Sequence, residues 1–148
     1  MKLETQIHQK KFKNEFQKLA INIPYTYGWL NSIQQSFFKK YDMSTQQYNI
    51  LRILRGQYPK CINVNDVKSR MIDKMPDVSR IVERLRKKNL LEREICSEDR
   101  RRANLKITQK GLELLTEMDK YEDDVTNIFN LTKSEVKQLN DLLDKARG

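Results

Sequence analysis

The chain has 148 residues, of which 38% are hydrophobic and 33% charged, and its formal net charge is +9 at pH 7. Its four glycines and three prolines are few, which favours a mainly helical domain. No apolar run approaches the roughly 20 residues that span a bilayer, and the N-terminus lacks the apolar core of a secretory signal. We therefore expect one domain, 1–148, in the cytoplasm, with no membrane partner.

The charge is unevenly distributed along the chain. Residues 1–60 carry ten Lys and Arg against three acids, whereas 111–148 carry five against nine. A basic excess indicates a polyanionic partner, although a basic surface alone is as typical of simple solubility. The position of the charge is therefore more informative than its size.

Little in the sequence suggests catalysis. There is no Ser/His/Asp set, no metal-ligand cluster and no glycine-rich phosphate loop, so we expect neither an enzyme nor a cofactor. Cys61 and Cys96 have neither the spacing nor the histidine neighbours of a zinc site. In the cytoplasm a disulfide is not expected. Structural thiols are favoured, and oxidation sensing at either cysteine stays open.

The first 60 residues predict an N-terminal helical arm and a capped helix. Apolar residues at helical spacing predict a helix over 3–22, a break or kink at Pro24, and a second apolar pattern from Tyr25. Ser44 followed by Gln47 is typical of a capping box that begins the next helix.

The central stretch predicts a winged helix. A short helix over 63–71, which Asn63 can cap, is followed by a turn and a second helix over 76–88, with Pro76 at its first position. Val78, Ile81, Val82 and Leu85 give the second helix one buried face, and its other face is polar and mostly cationic. Strand patterns over 90–96 and 103–108 then flank an arginine-rich loop.

The C-terminal segment predicts two further amphipathic helices. Thr108 can cap a long helix, and Thr132 with Glu135 forms a second capping box before the last one. A small winged-helix core is not large enough to cover the apolar faces of these two helices and of the N-terminal arm. A second copy of the chain would cover them in a two-fold homodimer. The alternative is that the helices fold back over their own domain.

Three blocks of this sequence resemble the multiple-antibiotic-resistance regulator (MarR) family of winged-helix transcription factors. Asp99-Arg100-Arg101 followed by 105–111 is close to the family's D-R-R…L-T-x-x-G, while 78–91 and 44–51 are similar to its recognition helix and an earlier helix start. Asn89 departs from the family's frequent glycine, but Asn also tolerates the left-handed conformation.

The resemblance implies a mainly α fold with a small β-hairpin wing. Its DNA-binding core would be 43–110, and 1–42 and 111–148 would be dimerisation helices. The homodimer would bind a pseudo-palindromic operator on double-stranded DNA and usually repress transcription, often until a small ligand or an oxidant releases it. In the family, the wing arginine two residues after the aspartate enters the minor groove and is oriented by that aspartate, which here implies Arg101 and Asp99.

Candidate DNA contacts follow from this arrangement. On the recognition helix, Arg80 and Arg84 suit base edges, and the helix start, where base contacts cluster, carries Pro76, Asp77 and Ser79. Asp77 would select a cytosine amino group or orient Arg80. The wing candidates are Asp99, Arg100, Arg101 and Arg102. Backbone phosphates suit Lys68, Arg70 and Lys74, and either Asn63 or Asn65 can offer a helix N-terminus.

Aromatic residues around the arm suggest a possible pocket. Tyr25, Trp29 and Tyr48 are candidates for binding a small aromatic effector between the dimer base and the winged helix, although such a stripe is more often core than pocket. The rival function is a non-catalytic interaction module or an RNA-binding winged helix. The operator, the regulated genes and the sign of regulation do not follow from the sequence.

Overall fold

The computed structural model describes residues 2–74, 76–94 and 104–148, without the side chain of residue 94. Helices form most of these residues, and three short strands form one antiparallel sheet. The elements in chain order are α1 (Leu3–Gln6), α2 (Glu15–Lys39), α3 (Thr45–Arg55), β1 (Ile62–Asn63), α4 (Val64–Arg70), α5 (Val78–Lys87), β2 (Leu91–Glu94), β3 (Asn104–Ile107), α6 (Gln109–Asp119), α7 (Asp123–Thr126) and α8 (Lys133–Arg147).

The N-terminal arm differs from the sequence prediction. A single helix over 3–22 is wrong, because α1 ends at Gln6 and α2 begins only at Glu15. The side chain of Asn14 accepts a hydrogen bond from the amide of Gln17 and so supplies a helix start. Of the predicted break or kink at Pro24, the break is absent, since α2 continues through it. Proline removes one backbone hydrogen bond, but the other hydrogen bonds of this 25-residue helix keep the helix continuous.

The winged-helix core matches the prediction, except that a third strand, β1, which was not predicted, pairs with β3. Helices α3, α4 and α5 pack on one another and on the sheet, whose strand order is β1-β3-β2. Register is fixed by the pairs Ile62 with Leu105 and Arg93 with Leu105. The predicted caps at Ser44 and Asn63 are both present. Fully buried side chains from every layer fill the core, including Ile50, Leu51, Leu54, Val67, Val82, Leu85, Leu105 and Leu115.

The turns on either side of the wing strands depend on particular residues. Asn89 has φ 58°, so it takes the left-handed conformation expected of it. The hydroxyl of Thr108 donates to the Asn89 carbonyl at 2.8 Å and accepts from the amide of Gly111 at 3.1 Å. A Cβ on Gly111 would lie only 2.3 Å from the Leu90 carbonyl oxygen. Helix α6 therefore packs against this turn at a distance that only glycine allows.

Two helix boundaries differ from those expected. Asp77, not a residue before Pro76, caps α5, because its carboxylate accepts from the amide of Arg80, so Pro76 lies outside the helix. The long helix predicted after Thr108 is interrupted between α6 and α7. There the amides of Tyr121 and Glu122 bond to carbonyls three residues earlier, which tightens the chain out of α-helical geometry.

The terminal helices expose much of their apolar surface. Helix α8 has no buried residue, although its capping box at Thr132 forms as predicted. Large apolar side chains of α2 and of the C-terminal segment are exposed as well: Phe16, Leu19, Ile23, Tyr27, Tyr121, Leu131, Val136, Leu139 and Leu142. These apolar faces therefore remain uncovered when the helices fold back only over their own domain.

Two further findings concern a cysteine and the composition of the helices. Cys61 is half-buried and disulfide-bonded, which contradicts the expectation of a reduced thiol, and Cys96 lies outside the described residues. Among the described helices, none combines the length and the apolar composition that crossing a membrane requires.

Candidate nucleic-acid interface

Helix α5 is anchored by one face only. Val78, Val82 and Leu85 are buried and Ile81 is half-buried, as their spacing predicted. They pack on α3 and α4, so the helix axis is held firmly while the opposite face stays open. An anchored helix with one free face has the shape that the DNA major groove admits.

The free face of α5 is cationic. At 100° per residue, Arg80, Arg84 and Lys87 lie opposite the buried stripe, and all three side chains are exposed. Within the described residues, no hydrogen bond or ion pair engages their charged groups. Lys87 was not among the predicted site residues, yet it follows Arg80 by seven positions. That spacing, which returns to the same helix face, is the signal that would have found it.

Glu83 lies on this cationic face, and an arginine of the same helix compensates its charge. Glu83 accepts two hydrogen bonds from the guanidinium of Arg86, at 2.8 and 3.1 Å. These bonds hold the pKa of the Glu83 carboxyl below its ordinary value. Arg86 is therefore occupied within the helix, whereas the Arg80 guanidinium has no such partner in the described part of the chain. The ion pair also reduces the repulsion that a bare carboxylate would exert on a polyanion.

The start of α5 brings three predicted residues together. Asp77 accepts from the backbone amide of Arg80 at 3.1 Å, so its carboxylate is used in capping rather than in holding the Arg80 side chain. Ser79 is exposed and Pro76 is half-buried just before the cap. Asp77 thus fixes where the helix begins, and with it the direction in which Arg80 points.

The predicted phosphate contacts lie on α4 and on either side of it. Lys68, Arg70 and Asn65 are exposed, and their side chains form no hydrogen bond or ion pair with the described part of the chain. Lys74 donates from its ammonium to the Ser69 carbonyl, and Asn63 caps α4 through the amide of Asp66. The Asn63 amide group also donates to the Asp66 carboxylate.

The wing begins and ends as predicted, but its tip is not described. Strands β2 and β3 pair from Leu91 with Ile107 to Glu94 with Asn104. The segment that joins them contains Asp99, Arg100, Arg101 and Arg102, which lie outside the described residues. Their placement therefore stays a prediction.

The three predicted pocket residues do not share one cavity. Tyr25 and Trp29 line a cleft of about 360 Å³ with Phe129 and Leu131, and the Trp29 and Phe129 rings meet edge to face at 5.7 Å. Tyr48 instead packs against Phe38, with ring centroids 4.6 Å apart, and its hydroxyl accepts from Arg52. Among the described residues, no group of three His, Cys, Asp or Glu side chains suits a metal ion.

A relative of known function identifies the family, although no family model matches the chain. The HTH-type transcriptional regulator MgrA of Staphylococcus aureus is 32% identical over 108 residues, which are 73% of this chain and 72% of MgrA.

Two solved structures share the fold. A MarR-like transcription regulator from Bacillus cereus has a TM-score of 0.77 at 23% identity, covering 90% of this chain and 96% of that one. A mutant of MarR from E. coli, complexed with operator DNA, has a TM-score of 0.76 at 22% identity and covers 93% and 99%. With the winged-helix architecture and the relationship to MgrA, these findings show that the chain belongs to the MarR family of winged-helix transcriptional regulators.

Proposed function

We propose that this protein is a sequence-specific regulator that binds double-stranded DNA with α5 in the major groove. The observation that carries the proposal is the cationic front of α5. There Arg80, Arg84 and Lys87 are exposed and, among the described residues, unpaired, while the back of the helix is buried. Arginine binds the O6 and N7 acceptors of guanine in two-point fashion. Arg80 and Arg84 are therefore the proposed base-reading residues, with Ser79 beside them.

Backbone contacts would position the protein without reading sequence. Lys68, Arg70 and Lys74, with Asn63 or Asn65 at the start of α4, are the proposed phosphate ligands. The wing would add Arg101 in the minor groove, oriented by Asp99 and flanked by Arg100 and Arg102. A narrow A·T minor groove has an enhanced negative potential that attracts an inserted guanidinium.

A homodimer would present each of these contacts twice. Its support is the exposed apolar surface of α2 and α8, above all the absence of any buried residue on α8. In water, a stripe of this kind is stabilised when a second copy covers it. The two subunits would then read a pseudo-palindromic operator whose half-sites lie about one helical turn apart.

Repression released by a small molecule is the proposed mode of regulation. The cleft lined by Tyr25 and Trp29 supports an aromatic effector, because its rings and the carboxamides of Asn22 and Asn130 offer stacking surface and hydrogen bonds together. Tyr48 does not line this cleft, so the proposed ligand site shifts from the predicted trio toward the α7–α8 connection.

The test is a selection of bound duplexes from fragments of the organism's own DNA, followed by fluorescence anisotropy. We expect a recovered duplex to bind much more tightly than a scrambled duplex or a single-stranded RNA of equal length. Equal affinity for all three would reject a sequence-specific DNA regulator, and preference for the RNA would favour the RNA-binding alternative.

A further inference from the structure

A second cationic feature adjoins the front of α5. The C-terminal half of that helix, the end of α2 and the turn before α3 enclose an open cleft of about 520 Å³. We call it the lysine cleft. Four basic side chains and one acid contribute to its lining: Lys39, Asp42, Arg84, Lys87 and Lys88.

Most of the positive charge in the lysine cleft is uncompensated. Lys88 is used internally, since its ammonium lies 2.8 Å from the Asp42 carboxylate and also donates to the Asp42 carbonyl. That pairing occupies the one acid among the described lining residues. Lys39, Arg84 and Lys87 are exposed, and in the described ranges of the chain no acid pairs with them. Three such cations around one cavity favour an anionic ligand.

The floor of the lysine cleft is held by burial and hydrogen bonds. Met43 and Gln47 are buried, at 7% and 8% exposure. Gln47 and Ser44 exchange the two hydrogen bonds of a capping box, at 2.9 and 3.1 Å. The Lys88 contacts tie the turn before α3 to the end of α5. A ligand that binds here meets a preformed surface, so less ordering entropy is lost on binding.

The position of the cleft identifies the ligand. Arg84 belongs both to the front of α5 and to the cleft lining, and Lys87 lies on the same helix face as Arg80. A duplex that seats α5 in its major groove therefore brings its sugar–phosphate strand to the cleft mouth. We infer that the lysine cleft binds a DNA backbone phosphate beside the groove, through Lys39 and Lys87. This inference rests on the proposed function and adds a contact that strengthens binding without reading sequence.

The test compares the wild type with the double variant Lys39→Gln/Lys87→Gln. Anisotropy titrations use a selected duplex of about 30 base pairs, long enough for two half-sites, and its scrambled counterpart, between about 50 and 200 mM salt. Lys60→Gln is the control for the loss of an exposed positive charge, because Lys60 follows α3 and lies outside both the cleft and the proposed dimer helices. Circular dichroism and thermal melting check that the exposed substitutions leave the fold intact.

One phosphate per cleft, presented twice in a dimer, contributes about 2 to the slope of log K against log salt. We expect the double variant to lose about that much of the slope and to bind both duplexes on the order of 10- to 100-fold more weakly at about 100 mM salt. The preference for the selected duplex should not change, and Lys60→Gln should behave as the wild type.

Two results would overturn the cleft while leaving the proposed function standing. One is a salt slope in the double variant equal to that of the wild type. The other is a collapse of sequence preference at an unchanged slope, which would make Lys87 a base reader. If inorganic phosphate raised the melting temperature of the wild type alone, with equal salt slopes, the cleft would hold a free anion instead. A wild type that binds no duplex would refute the proposed function as well.

Discussion

Both terminal nitrogens of Arg55 donate to the carboxylate of Asp119, at 2.6 and 3.2 Å. The two residues are 64 positions apart and join α3 of the winged-helix core to the last residue of α6. Arg52, one turn earlier, adds a 3.2 Å contact to Glu122. Acids at a helix C-terminus oppose the helix dipole, so these arginines stabilise the point where α6 ends.

We expect Arg55→Ala to lower the free energy of unfolding by about 1 kcal/mol, because a two-point charged hydrogen bond is lost from a half-buried site. The control is Lys137→Ala, which breaks a one-point pair with Asp141 between mostly exposed side chains and should cost less than about 0.5 kcal/mol. Urea denaturation measures both. Equal losses would mean that the Arg55 contact adds nothing beyond an ordinary surface pair.

The interruption after α6 could not be predicted from the sequence. The capping boxes at Ser44 and Thr132 and the buried face of α5 were predictable because each depends on residues within one or two turns. The break after Asp119 instead coincides with contacts from arginines of a distant helix, and the separation of Tyr48 from Trp29 depends on how whole helices pack. The spacing of residues within one helix predicts neither the break nor this separation. It likewise did not reveal that α1 is separate from α2.

Gly111 should not tolerate a side chain. In Gly111→Ala the new methyl group would meet the Leu90 carbonyl and the side chain of Ile107 at distances that require backbone movement. We expect a loss of roughly 1–3 kcal/mol in stability. Gly28→Ala is the control, since a Cβ there meets nothing within 4 Å and alanine favours the interior of α2 by about 0.5–1 kcal/mol. If Gly111→Ala proved as stable as the wild type, the close approach of α6 to the turn would be refuted.

Acid should weaken the start of α8. Glu135 accepts from the Thr132 amide at 2.7 Å and from its hydroxyl at 2.8 Å, and these bonds lower its pKa from the ordinary 4.5. A lowered folded pKa means that the unfolded chain binds the proton more tightly, so the stabilisation is present above pH 4.5 and is lost as the pH falls through the folded value.

Amide hydrogen exchange at Thr132 measures this effect, and Glu135→Gln is the control. Glutamine keeps the capping geometry without a titrating group, so its Thr132 protection should not depend on pH in the same window once the intrinsic exchange rate is corrected. A wild type with the same flat profile would contradict the assigned role of Glu135.

The apolar face of α8 tests the proposed dimer. Leu139→Glu places a charge on that face, whereas Gln138→Glu introduces the same group one residue away and off the stripe. We expect the first variant to sediment as a monomer and to lose affinity for a two-half-site duplex, and the second to behave as the wild type. Burying an unpaired charge in an interface is strongly unfavourable. A dimeric Leu139→Glu would place the interface elsewhere.

The most direct test of the account is the affinity of Arg80→Ala and Arg86→Ala for the selected and scrambled duplexes. The two arginines lie on the same helix, but Arg86 is paired with Glu83, whereas no acid in the described part of the chain pairs with Arg80. We predict that Arg80→Ala reduces the preference for the selected duplex by about 1–3 kcal/mol and that Arg86→Ala changes it far less. Unchanged preference in Arg80→Ala would contradict the claim that the front of α5 reads DNA.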